Sequence, residues 1–114
     1  MEMNLAYYEA TIAHLQSKGF VIESKQNVQQ AQGEMAFDRT SNACTKGEDC
    51  CFSFEALRYP DGREDFYLEI QKVGKMRSFS FPLDSWKYHP NRIEFKYRYD
   101  PATGLGLAIT LDLT

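Results

Sequence analysis

The sequence predicts an α+β fold: one N-terminal amphipathic helix packed on a curved antiparallel sheet of about six or seven strands, mostly meander hairpins. Three observations predict it. Leu5, Tyr8, Ile12 and Leu15 recur at helical spacing. From residue 51 onward, apolar and polar residues alternate with the period of a half-buried strand. Turn sequences at Pro60-Asp61-Gly62, Gly74-Lys75 and Asp100-Pro101-Ala102-Thr103-Gly104 interrupt that alternation at hairpin spacing.

The helix comes first. Its apolar stripe leaves Glu2, Glu9, Gln16 and Lys18 largely elsewhere on the wheel. Asn4 is placed to cap its start, and Gly19 to end it in the left-handed conformation. Phe20–Ser24 reads as a strand. Residues 25–32 are polar and fit either a short helix ending at Gly33 or an extended arm. Glu34–Arg39, with Met35 and Phe37 alternating against polar residues, reads as a strand. Residues 40–50 (TSNACTKGEDC) read as a long polar loop, the kind of segment that often carries function.

The hairpins define registers. Around Pro60-Asp61-Gly62, Phe52 faces Ile70, Phe54 faces Leu68 and Ala56 faces Phe66, so one face is apolar throughout. A slip of one residue would destroy that match. Around Gly74-Lys75, Ile70 faces Phe79 and Leu68 faces Phe81. Lys72 falls opposite Arg77, an unfavourable like-charge pair unless the two line an open rim. Residues 82–91 break the sheet, with a short helical turn at Asp84-Ser85-Trp86. In the last hairpin Ile93 faces Leu111, Phe95 faces Ile109, Tyr97 faces Leu107 and Tyr99 faces Leu105. These registers put Phe79, Phe81, Phe95, Tyr97 and Tyr99 inside and leave Tyr67, Trp86 and Tyr88 to be exposed. The element order matches the general plan of cone-shaped ligand-binding domains and of bacterial immunity or inhibitor proteins, but no motif assigns the chain to either.

The 114 residues fit one domain, 1–114, with enough bulky side chains to form a core without a metal or disulfide. The net charge of -3 names no partner. Its distribution is uneven: residues 1–69 carry twelve Asp/Glu against six Lys/Arg, and residues 70–114 carry four against seven. This is either an unevenly charged solvated surface or a basic patch on the later strands. No apolar run has transmembrane length, and Met1–Leu15 lacks the basic start and apolar core of a signal peptide. A soluble, cytoplasmic protein is the expectation.

Chemistry-bearing residues are sparse. Cys44, Cys50 and Cys51 have C-x5-C-C spacing, which departs from paired zinc-ligand spacing. Free thiols are expected, with a Cys44–Cys50 disulfide as the alternative in an oxidising compartment. His14 and His89 could pair with a cysteine, but nothing in the sequence places either beside one. Glu48-Asp49 lacks the ligand density of a calcium loop. No catalytic residue, metal ligand or cofactor is assigned. Nucleic-acid binding is a third-ranked reading, disfavoured by a pI near 5.3 and by aromatics on the core parity.

The leading expectation is a non-enzymatic binding or interaction protein of inhibitor, immunity or accessory type. Its partner would be a protein or a second copy. The C-terminal strand alternates apolar residues to Leu113 and could pair with its twin if it lies at an edge. The alternative is a small-ligand-binding domain or cofactor-free enzyme. Its pocket would lie between helix and sheet, lined by Lys72, Arg77, Trp86, His89, Tyr97 and Tyr99.

Overall fold

A computed structural model describes residues 4–29, 36–100 and 102–113, without the side chains of residues 28, 29, 98 and 99. The described residues form one helix and eight strands: α1 (Leu5–Ser17), β1 (Val21–Gln29), β2 (Phe37–Lys46), β3 (Cys50–Arg58), β4 (Glu64–Val73), β5 (Met76–Pro82), β6 (Ser85–His89), β7 (Arg92–Asp100) and β8 (Leu105–Asp112). The strands make two antiparallel meanders rather than one bent sheet. One has five strands, β1-β2-β3-β4-β5, and the other three, β6-β7-β8. No helix among the described residues is long and apolar enough to cross a membrane.

The helix is bounded as its sequence requires. Asn4 is extended, and its Oδ1 accepts the Tyr7 N–H over 2.8 Å. At the other end Gly19 sits at φ 92°, Gly19 N–H donates to Gln16 O, and Phe20 N–H reaches back to Leu15 O. This is the Schellman closure, with its apolar contact supplied by buried Leu15 and Phe20.

The hairpin registers of the large sheet are those the alternation predicts. Phe52 faces Ile70, Phe54 faces Leu68 and Ala56 faces Phe66, while Ile70 and Leu68 face Phe79 and Phe81 on β5. In the small sheet Ile93, Phe95 and Tyr97 face Leu111, Ile109 and Leu107.

Five details differ from the sequence expectations, and one alternative left open by the sequence is resolved as extended. The 40–50 segment is mostly strand: β2 runs to Lys46, and only Gly47–Asp49 turn. Polar residues persist in β2 because only one of its faces meets the core, where Asn42 and Cys44 are buried. The ambiguous 25–32 segment continues β1 as far as Gln29. The remainder, with Gly33, Glu34 and Met35, lies outside the described residues. Asp84-Ser85-Trp86 makes no helical turn, because the chain switches sheets at Leu83-Asp84 and Ser85–His89 pairs with β7. Trp86 is therefore buried, 5% exposed, against the core. Phe79 keeps its register but lies on edge strand β5, where only one neighbour covers it, and is 40% exposed. Finally, a bulge between Arg98 and Asp100 puts Asp100, not Tyr99, opposite Leu105.

Aromatic contacts show how the layers meet. Tyr8 packs edge-on against Phe54 at 4.6 Å and near Phe66 at 5.8 Å, so the helix covers one part of the large sheet's inner face. The small sheet covers the rest. Trp86 meets Phe54 and Phe66, and Phe95 meets Phe52 and Phe54. Tyr97, two residues beyond Phe95, meets Phe81 on β5. β7 thus crosses the large-sheet strands instead of following them, an orthogonal packing. Between the sheets, Ile109 and Leu111 close over Leu68, Ile70 and Val73 around a space of only about 10 Å³, at the lower bound for a single water molecule.

Candidate functional site

The interior is filled and its polar groups are paired. Tyr8 Oη donates to Phe54 O over 2.5 Å and accepts from Asn42 Nδ2 over 2.6 Å. Ser24 Oγ donates in turn to Asn42 Oδ1. Trp86 Nε1 donates to Thr11 Oγ1 over 2.9 Å, and Thr11 Oγ1 donates to Tyr7 O. No buried side-chain polar atom lacks a partner among the described residues. Such an interior specifies one packing and leaves little room for a ligand at its centre.

The six residues expected to line a pocket fall in three places. Lys72 and Arg77 face each other near the β4–β5 turn, as the register requires. The like charges are accommodated separately: Lys72 Nζ pairs with Asp49 Oδ1 at 3.2 Å, and Arg77 Nη1 donates to the carbonyls of Gly74 and Met76. Trp86 and His89 share β6. His89 Nε2 lies 3.3 Å from Glu94 Oε2, and the His89 carbonyl bonds His14 Nε2 at 2.8 Å. Tyr97 is half-buried on β7 beside Phe81. Tyr99 sits at the β7 bulge, and its side chain is outside the described set. Trp86 and His89 share β6, Tyr97 and Tyr99 share β7, and of the five whose side chains are described only Trp86 lines the groove described next.

That groove, about 530 Å³, opens along β6. One wall is aromatic. Alternation along β6 puts Trp86 and Tyr88 on one face, and the helix lays Tyr7 against both, at centroid distances of 5.4 and 5.2 Å. His14 extends the stack on Tyr88 at 4.9 Å. The other wall is polar, with Ser85 and Lys87 from β6 and Glu94 and Lys96 from β7. Glu94 is already engaged: hydrogen bonds first from His89 and then from Arg92 hold its carboxyl below the usual range. Lys87 and Lys96 make no ion pair among the described residues and are exposed. Tyr7, Ser85, Lys87, Tyr88, Glu94 and Lys96 were absent from the sequence expectation. The available signal was alternation in SWKYH, obscured by reading that segment as a turn.

The cysteines do not form a centre. All three thiols are free. Cys44 faces Phe52 and Cys50 faces Lys46 across β2 and β3, so the two cysteines are not cross-strand partners. Burial, with Cys50 and Cys51 adding, pushes the Cys44 thiol up to about 12. No group of three or more metal-ligating side chains occurs among the described residues.

The sheets present four edges, and three are blunted. β5 has Ser78 in the left-handed region at φ 47°, breaking the pairing ladder with β4, and ends at Pro82. β1 exposes Glu23 and Lys25. β6 is five residues long, and Tyr7 Oη takes its Tyr88 N–H over 3.1 Å. β8 has none of these devices. It spans eight residues, carries no proline or cation, and its exposed face is Gly106, Ala108 and Thr110 before Asp112. Leu105, on its apolar side, is 57% exposed.

Comparison with known proteins finds no family model, curated protein or solved structure that matches the chain.

Proposed function

We propose that this is a non-enzymatic binding protein that works through protein contact, and that its first partner is a second copy joined along β8. The unguarded β8 edge carries this reading. Unpaired backbone groups on an apolar edge strand are a template for another strand, and natural proteins usually block them.

The edge is self-complementary. With Ile109 opposite its own twin, Leu107 faces Leu111, Leu105 faces Leu113, Ala108 faces Thr110 and Gly106 faces Asp112. No like charges oppose each other, the core parity is kept, and exposed Leu105 gains an apolar neighbour. The result is an isologous six-stranded sheet across a two-fold axis. An inhibitor, immunity or accessory role fits a rigid scaffold of this kind.

Deuterium exchange tests the reading. Amides along β8 become protected as protein concentration rises, while β5 amides do not change. Concentration-independent exchange along β8 contradicts it.

A further inference from the structure

The β6 groove lies on the far side of the small sheet from β8, with β7 between them. We infer that it is a binding site for a flat organic anion, an aromatic or conjugated ring bearing a carboxylate or sulfonate.

His89 faces Arg92 across a two-residue turn, so this closing pair is hydrogen-bonded. Pairing then alternates, which makes Lys87 and Ser85 the bonded positions and turns the backbone groups of Tyr88 and Trp86 to the open edge. Tyr7 Oη meets the Tyr88 N–H there. The Trp86 N–H and C=O face the same side, one donor and one acceptor at the groove. Around them stand the half-buried rings of Tyr7 and Tyr88, stacked on each other and on Trp86 and His14, an apolar wall that a flat ring can meet edge-to-face.

The charge follows from the polar wall. Lys87 faces Glu94 and Lys96 faces Ser85, so the two ammoniums lie diagonally across β6 and β7. Glu94 is engaged by His89 and Arg92 on its other side. The groove therefore offers two cations, the Ser85 hydroxyl and a backbone N–H to one anionic group. Its volume of about 530 Å³ falls in the range of small-molecule sites. A neutral ring would use the aromatic wall alone, and a bare inorganic anion only the lysines. The combination selects a ligand carrying both.

The experiment uses naphthalene-1-sulfonate, with naphthalene-1-methanol and inorganic sulfate as controls, followed by amide chemical shifts of the full chain at low salt. The sulfonate is expected to move Ser85–Tyr88 and Lys96, and to bind at least about fivefold more tightly than either control. Lys87→Gln and Lys96→Gln each weaken it about fivefold, and both sites are exposed enough for the variants to fold. Equal affinity for the neutral alcohol, unchanged affinity in both lysine variants, or shifts clustered away from β6 each overturn the assignment. Working in the Leu105→Lys background keeps this outcome separate from self-association.

Discussion

The indole N–H of Trp86 donates to the Thr11 hydroxyl across 2.9 Å, and both residues are buried. Together with the bonds of Tyr7 Oη to Tyr88 N–H and of His14 Nε2 to the His89 carbonyl, it ties the helix to the small sheet, from residues 75 apart in the chain. Thr11 also donates to Tyr7 O, so its hydroxyl is used in both directions.

Thr11→Val keeps the shape and removes the acceptor, leaving a buried indole N–H unpaired. The expected loss is about 1–3 kcal/mol of stability. Urea unfolding followed by the fluorescence of Trp86, the chain's single tryptophan, measures it. A loss of only a few tenths would mean that the bond does not hold the helix in place.

Cys44 is fully buried and its thiol is pushed up to about 12, chiefly by desolvation. Thiolate is the reactive form. At pH 8 iodoacetamide should label the half-buried Cys51 in the native protein and leave Cys44 intact until denaturant is added. Peptide mass spectrometry reads the order, and early labelling of Cys44 would show that β2 opens locally.

Glu94 has its carboxyl lowered from the ordinary value of 4.5 by His89 and Arg92. A depressed carboxylate contributes stability that is present above its unfolded pKa and lost as pH falls through the folded one. Glu94→Gln should therefore be less stable than the parent at pH 7, with the gap closing on acidification below 4.5. Thermal melts across pH 7 to 3 check the sign. A gap that widens in acid refutes the assignment.

The registers were legible because Phe52, Phe54, Ala56, Phe66, Leu68 and Ile70 share one parity around Pro60-Asp61-Gly62, and because a one-residue slip would put Phe52, Phe54 and Phe66 into water. The sheet count was not legible. Nothing local distinguishes a break within one sheet from the switch at Leu83-Asp84, which is decided by the distant contacts of Trp86 with Phe54 and Phe66. β2 was hidden for a related reason. Its Asp, Asn, Ala and Lys residues are poor strand formers alone, and they are held by nine register pairs on each side. The groove stayed invisible because half of it depends on Tyr7, which helical periodicity places only at the border of the buried stripe.

Sedimentation equilibrium of the full chain tests the central claim most directly, run from about 1 to 200 µM on the parent and on Leu105→Lys. Leu105 is largely exposed, so the substitution leaves the single chain intact while placing an ammonium opposite Leu113 of a second copy. The account predicts that the parent moves toward twice its 13.2 kDa mass with concentration, while Leu105→Lys remains at the single-chain mass. A parent that stays at 13.2 kDa throughout, or a variant that associates as strongly as the parent, would contradict it.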